Sequence, residues 1–269
     1  MAKSLSYAER HAHAVETFKR FMPGQDPERS EQALRRRMGA LGSFAFEMVG
    51  EMWDRPQLSR RDRSLFIIAV LAAQARDEEL ETHTRIGLRH GLARVEIEEI
   101  LLHIAAYAGF PAAMAASRRV DAGLRAEEGV DKLSDRTPAL SKSDAERDRD
   151  AMDVFRTLSG GRGGSDAAAD LAGMESMLGD VGVTAYRWAF GEIWSRSELS
   201  RRDRSIVVIA ILISLGAKAE LTAHIAAGRT HGLSQAEIEE VVHHLSIYVG
   251  FPRAVEAMRI ARAPAGSTG

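Results

Sequence analysis

The stretch WDRPQLSRRDRSLFIIAVL at residues 53–71 returns as WSRSELSRRDRSIVVIAIL at residues 194–212. In both copies an arginine-rich segment leads into an apolar run long enough for a buried helix. Ser59 and Ser200 stand where a helix N-cap is expected, and an aspartate follows each serine three residues later. The stretch therefore predicts a buried helix with a capped, charged first turn, and it predicts that helix twice.

The repetition extends well beyond this helix. HGLARVEIEEILLHIAAYAGFP at 90–111 matches HGLSQAEIEEVVHHLSIYVGFP at 231–252, and the offset is 141 in both pairs of segments. Upstream, AERHAHAVETFKRFM at 8–22 resembles AERDRDAMDVFRTLS at 145–159, with an offset of 137. Self-similarity on this scale indicates one fold that occurs twice in tandem.

Every segment of the repeat has helical periodicity, and the alternation typical of strands is missing from the sequence. We therefore predict an all-α protein with two similar helical domains in tandem. The predicted bounds are residues 1–130 for the first domain and 145–269 for the second. A polar linker that contains a proline is predicted between them, at residues 131–144.

Composition excludes several functions. The chain of 269 residues has 36 basic and 38 acidic residues, which gives no argument for nucleic acid as a partner. It has no cysteine, so disulfides and thiolate chemistry are excluded. No apolar run is long enough to span a bilayer, and the first residues lack the apolar core of a signal peptide. We expect a cytoplasmic protein that does not associate with membranes.

Two matching helix faces carry the residues best suited to chemistry. EELETHTRIGLRHG at 78–91 places a glutamate and two histidines at spacings of four and seven, so that they share one face. The members are Glu79, His83 and His90 in the first copy and Glu220, His224 and His231 in the second. Spacing leaves three interpretations open: a solvated stripe, a divalent metal site and an acid–base site. The spacing is not a standard zinc pattern, and we predict no metal.

The following helix repeats a second set of polar residues at i, i+4 and i+8. These residues are Glu99, His103 and Tyr107 in the first copy and Glu240, His244 and Tyr248 in the second. Their stripe suits either local hydrogen bonds or the lining of a pocket. Arg63 and Arg204 each precede an apolar run, and an arginine there suits bidentate binding of a substrate carboxylate.

The order R-x-x-L…A-x-L…E-L-x-x-H…H-G-L…E-I-x-E…H…Y-x-G-x-P resembles the carboxymuconolactone decarboxylase family, within the alkylhydroperoxidase-like superfamily. The resemblance covers residues 60–116 and 201–257. It implies an all-helical fold that forms ring-like hexamers in single-domain members. A tandem chain is then expected to form a homotrimer with six domains.

The thiol peroxidases of this family carry Cys-x-x-Cys-x-x-x-His. Alignment on His83 places Arg76 and Glu79 at the cysteine positions, and alignment on His224 places Ala217 and Glu220 there. Thiol peroxidase chemistry is therefore excluded. The resemblance then implies a decarboxylase of a small carboxylated lactone such as γ-carboxymuconolactone, in aromatic compound catabolism, without a cofactor.

The resemblance and the required proton transfer together suggest a role for each repeated residue. We expect His83 and His224 to act as acid–base groups that are oriented by Glu79 and Glu220. The expected substrate-binding residues are Arg63, Arg204, His103, His244, Tyr107, Tyr248, His90 and His231. Two other functions stay open: an isomerase or cyclase acting on another conjugated acid, and a non-catalytic oligomeric protein that binds small molecules.

Overall fold

A computed structural model describes residues 4–128 and 138–263. Within these ranges the chain is helical and contains no strand, which confirms the all-α prediction. The contacts divide the chain into two compact units, residues 1–63 and 64–269. The domain bounds inferred from the repeat stay a prediction; residues 131–137 of the expected linker and residues 264–269 lie outside the described ranges.

The first unit consists of α1 (Tyr7–Phe21), α2 (Pro27–Met38), α3 (Ala40–Trp53) and the first turn of α4 (Arg60–Ala73). Its helices pack through aromatic rings. The ring centroids of Phe18 and Phe46 are 5.3 Å apart, and those of Phe21 and Trp53 are 4.4 Å apart. These contacts join α1 to α3 and bury most of the surface of the four rings.

The second unit holds the remaining helices of the first repeat and all helices of the second. After the rest of α4, the first repeat supplies α5 (Asp77–Arg89), α6 (Arg94–Tyr107) and α7 (Phe110–Glu128). The second repeat supplies α8 (Asp144–Leu158), α9 (Ala167–Leu178), α10 (Asp180–Thr184), a π-helix (Ala185–Trp194), α11 (Arg201–Leu215), α12 (Lys218–Thr230), α13 (Gln235–Val249) and α14 (Phe251–Arg262). Helix α6 packs against α11, so the two repeats share a core in this unit.

The predicted caps are present. In the first copy the Asp62 amide donates to Ser59 Oγ, and in the second the Asp203 amide donates to Ser200 Oγ. The apolar runs that follow are buried along their length. A cap of this kind contributes about 1 kcal/mol to helix stability. The charged first turn and the buried run therefore form one helix, as the sequence predicts.

One added residue distinguishes the two repeats just before the shared motif. Gly39 and Gly179 both have a φ of +59° and start equivalent helices. Trp53 follows Gly39 by 14 residues, whereas Trp194 follows Gly179 by 15. The segment before Trp53 is α-helical, and the segment before Trp194 is a π-helix. A π-helix has more residues per turn, so it accommodates the extra residue without a loop, and such segments are frequent at functional sites.

Candidate functional site

Four ring-bearing side chains meet where the two repeats pack together, and we call them the His224 cluster: His103, Tyr107, Trp194 and His224. His103 and Tyr107 lie one turn apart on α6 of the first repeat, so they share a face. Trp194 ends the π-helix and His224 lies on α12, both in the second repeat. The cluster is therefore built from both repeats, which a reading of either repeat alone does not predict.

The rings are arranged around Tyr107 and Trp194. Trp194 stacks on His224 with centroids 5.7 Å apart and meets His103 edge-on at 5.3 Å. The Trp194 indole Nε1–H donates to the Tyr107 hydroxyl oxygen at 2.9 Å. The same hydroxyl lies 3.3 Å from His224 Nε2. Aromatic packing and hydrogen bonds thus hold the His224 imidazole in one orientation.

A buried ion cluster of Arg204, Arg196 and Glu99 contacts His103 through Arg204. The Arg204 guanidinium is fully buried; its Nη1 lies 2.9 Å from Glu99 Oε2 in an ion pair and donates to His103 Nε2 at 3.0 Å. Its other donors reach the carbonyl oxygens of Leu199 and Arg196. The Arg196 guanidinium donates to the second oxygen of Glu99 at 2.7 Å. Glu99 on α6 is thereby tied to the second repeat by two arginines.

Burial keeps the histidines of the cluster neutral. Loss of hydration, with a smaller contribution from His231, lowers the pKa of His224 from 6.5 to about 4. Burial and the adjacent Arg204 charge hold the pKa of His103 well below its usual value. Burial also raises the pKa of the Tyr107 phenol. At neutral pH the cluster therefore contains neutral imidazoles and a protonated phenol.

An equivalent arrangement surrounds His83, and we call it the His83 cluster: Phe66, His83, His244 and Tyr248. The rings of His83 and Tyr248 are 5.9 Å apart at 76°, against 5.3 Å and 78° for Tyr107 and His224. Burial and nearby His90 lower the pKa of His83 to about 4. The Phe66 ring packs edge-on against His244 at 5.4 Å. The aligned residue in the second repeat is the smaller Val207.

The two glutamates that precede the helix histidines lie at the surface. Glu79 on α5 and Glu220 on α12 are both exposed. Neither side chain makes a hydrogen bond or an ion pair with another residue in the described ranges. Their predicted role in orienting His83 and His224 stays a prediction. For His224 of the second repeat, the contacts that do orient the imidazole come from Tyr107 of the first repeat and from Trp194.

His90 and His231 occupy the C-caps of α5 and α12. Ser64 Oγ lies 2.8 Å from His90 Nδ1, and Ser205 Oγ lies 2.7 Å from His231 Nδ1. His231 also has Thr157 Oγ1 at 2.9 Å from Nε2, so protein hydroxyls occupy both of its ring nitrogens. The contacts of these residues join helices, and their predicted binding of substrate stays a prediction.

Arg63, the first-repeat counterpart of Arg204, is also fully buried and donates from Nη2 to the Arg55 carbonyl oxygen. Because both guanidiniums are buried and hydrogen-bonded to protein groups, the contacts present support a structural role. Their predicted binding of a substrate carboxylate stays a prediction. Within the described residues, no group of three or more His, Asp or Glu side chains is arranged to hold a metal ion.

Sequence reasoning did not single out Trp194 or Arg196 as residues of this site. Trp194 contacts the three other members of the His224 cluster. The sequence feature that could have identified it is the tryptophan at the aligned position of the first repeat, Trp53. The joining of Glu99 to Arg204 and Arg196 had no local signal, because the partners lie about 100 residues apart in sequence. A helix stripe predicts which residues share a face, but not what lies opposite them.

Comparison with known proteins agrees with the repeat and its motifs. Residues 41–122 and 182–263 each match the carboxymuconolactone decarboxylase family. The two matches are 82 residues each and together cover 164 of the 269 residues. The chain belongs to this family, with one family domain in each repeat, and the resemblance inferred from the motifs is confirmed.

Two curated relatives place the chain more closely. Over 75 residues it is 43% identical to 4-carboxymuconolactone decarboxylase of Acinetobacter baylyi, and this aligned region covers 28% of the chain and 56% of that protein. Over 71 residues it is 37% identical to nitrosuccinic acid decarboxylase npaB of Metarhizium robertsii, and this aligned region covers 26% of the chain and 50% of that protein. The chain spans about half the length of the curated relatives it matches.

Among the described residues, no helix is both long enough and apolar enough to cross a membrane.

Proposed function

We propose that this protein is a cofactor-free decarboxylase that acts on a small carboxylated lactone such as γ-carboxymuconolactone. The observation that carries the proposal is the hydrogen-bonded contact between Tyr107 of the first repeat and His224 of the second. The names of two relatives support the reaction class, since both are decarboxylases of small carboxylic acids. The absence of cysteine supports proton transfer rather than thiol chemistry.

The reaction needs a proton and a means to stabilise negative charge. When CO2 leaves a carboxylate, the bonding electron pair stays on the substrate and is delocalised onto an adjacent electron-withdrawing group. A proton then forms the new C–H bond. In our proposal His224 delivers this proton, and the Tyr107 hydroxyl replaces it in a relay that water restores.

A neutral imidazole suits this role. Because burial lowers the pKa of His224 to about 4, the ring carries no charge at neutral pH and can hydrogen-bond a substrate without forming a fixed ion pair. Trp194 donates to the Tyr107 oxygen and so stabilises the phenolate that forms transiently. Glu220 lies one turn before His224 and is exposed; in the proposal it keeps the role of orienting the His224 imidazole.

The test is CO2 release from a panel of carboxylated lactones, with γ-carboxymuconolactone first. We expect CO2 release by the full chain, and its loss when both His83→Ala and His224→Ala are introduced. His13→Ala is the matched control, because His13 is exposed on α1. A folded double variant with full activity contradicts the proposal. Substrate consumption without CO2 favours an isomerase or cyclase, and binding without consumption favours a non-catalytic protein.

We also propose that the chain assembles into a homotrimer. Two aligned pairs of apolar side chains support association: Phe110 and Met114 on α7, and Phe251 and Val255 on α14. All four are exposed, with Phe110 73% and Phe251 60% accessible. Exposed apolar groups at equivalent positions are typical of surfaces that contact another chain. Light scattering is the test, and a monomer in solution contradicts the proposal.

A further inference from the structure

Two buried ring nitrogens in the His224 cluster have no hydrogen-bond partner among the described residues. They are Nδ1 of His103 and Nδ1 of His224. His103 is fully buried, and His224 is partly buried with its Nδ1 atom out of solvent. Leaving a buried polar group unsatisfied is destabilising, so each of these atoms calls for an explanation.

The partner of Nε2 fixes the tautomer of His103. A guanidinium has donors and no acceptor, so the contact of 3.0 Å between Arg204 Nη1 and His103 Nε2 requires Nε2 to accept. A neutral imidazole that accepts at one nitrogen carries its hydrogen on the other. His103 Nδ1 is therefore an N–H donor.

Tyr107 fixes the tautomer of His224 in the same way. The Tyr107 oxygen accepts the indole N–H of Trp194, and the phenolic hydrogen needs an acceptor. Within the described part of the chain, the one acceptor in contact with that hydroxyl is His224 Nε2, at 3.3 Å. When the phenol donates to Nε2, both groups are satisfied, and the hydrogen of His224 lies on Nδ1.

The two donors belong to one cluster. His103 and His224 both pack against Trp194, at centroid distances of 5.3 and 5.7 Å, and both pack against Tyr107, at 6.2 and 5.3 Å. One donor comes from α6 of the first repeat and the other from α12 of the second. Both Nδ1 atoms are buried from solvent, and N–H donors in such surroundings interact strongly with negative charge.

We propose that His103 Nδ1–H and His224 Nδ1–H together bind an anionic oxygen of a small organic acid. The inference rests on the proposed function and deepens it, because this oxygen is the one on which charge develops as CO2 leaves, before the Nδ1 proton of His224 passes to the substrate carbon. Two prearranged donors then stabilise the transition state more than the substrate. Arg204 is a positioning residue: it sets the tautomer of His103 and does not itself touch the substrate.

The test is nitrogen-15 NMR of the full chain with labelled histidine at pH 7. His103→Gln and His224→Gln assign the two rings. We expect both rings in the Nδ1–H tautomer; an Nε2–H tautomer at either histidine overturns the inference. The tautomers are read in the unaltered chain, and each variant serves only to identify the signals that disappear.

Titration with sodium formate, with sodium chloride at equal ionic strength as the control, tests the binding itself. We expect the Nδ1 signals of both rings to shift with one common dissociation constant. His103→Gln should weaken formate binding by about tenfold or more, whereas His13→Gln should leave it unchanged. A shift of one ring alone, or equal affinity in His103→Gln, overturns the inference. Formate is not turned over, so its binding is judged separately from decarboxylation.

Discussion

The His224 and His83 clusters are the same design with different side chains around it. Each joins the histidine of one helix to a tyrosine and a histidine from the other repeat, with tyrosine–histidine ring angles of 78° and 76°. Phe66 fills the space beside His244, and the aligned residue in the second repeat is Val207. The histidine and tyrosine rings are thus the same in both repeats, while the side chains packed around them differ.

The arginines that differ between the repeats are not part of either cluster. Arg85 and Arg89 on α5 have become Ala226 and Thr230 on α12. Both arginines bind Glu127 on α7, and Arg89 does so with two hydrogen bonds at 2.6 and 2.9 Å. They hold two helices of the first repeat together at the surface. The change in charge between the repeats therefore alters helix packing rather than the residues around the imidazoles.

The largest expected effect is on catalytic activity, and it distinguishes the His224 cluster from the His83 cluster. We predict that His224→Gln lowers kcat/KM by about 10²–10⁴-fold, the usual contribution of an acid–base group. His83→Gln is predicted to lower it less than about tenfold, because the Phe66 ring packs against His244 within the His83 cluster and restricts the space there. Steady-state CO2 release measures both variants. Equal losses would show that the two clusters are equally active.

The next effect concerns the buried ion cluster. Arg204→Met removes a fully buried partner of Glu99 and is predicted to lower the free energy of unfolding by about 3–5 kcal/mol. Arg89→Ala removes a partly exposed ion pair with Glu127 and is predicted to cost at most about 1 kcal/mol. Urea denaturation followed by circular dichroism compares them. Similar costs would contradict the difference in burial.

The depressed histidine pKa values predict a loss of stability in acid. His83 and His224 have folded pKa values of about 4, below the ordinary 6.5, so the unfolded chain binds protons first as the pH falls. Their contribution is present above pH 6.5 and is lost between 6.5 and 4. From pH 7 to 4.5 we expect a loss of about 2–3 kcal/mol for each histidine.

Urea denaturation of the wild type at both pH values measures this loss, and His83→Gln and His224→Gln should each reduce it by a similar amount. An unchanged pH dependence in both variants would assign the loss to other groups.

Effects of moderate size are expected from exchanging Phe66 and Val207. Phe66→Val leaves a gap beside His244 and is predicted to cost on the order of 1–3 kcal/mol. Val207→Phe overpacks the second repeat and is predicted to lower the free energy of unfolding by a similar amount. It is also predicted to lower activity at the His224 cluster. Assaying Phe66→Val in a His224→Gln background isolates the His83 cluster. An increase in its residual activity would show that Phe66 restricts that cluster.

Much of the fold followed from the sequence because the signals are local. The caps at Ser59 and Ser200 and the buried runs behind them depend on neighbours within one helix. Spacing of four residues also placed His103 and Tyr107 on one face. The π-helix before Trp194 was not predicted, because an added residue can equally lengthen a loop.

The sequence by itself determined that this chain is all-α, is built from a repeated family domain and lacks thiol chemistry. Those properties depend on composition and on short spacings that any copy of the repeat must show. Only the tertiary structure decided that Tyr107 of one repeat meets His224 of the other, and that Arg204 faces Glu99 rather than solvent. Contacts between residues about 100 positions apart arise from how α6 packs on α11, which no local pattern encodes.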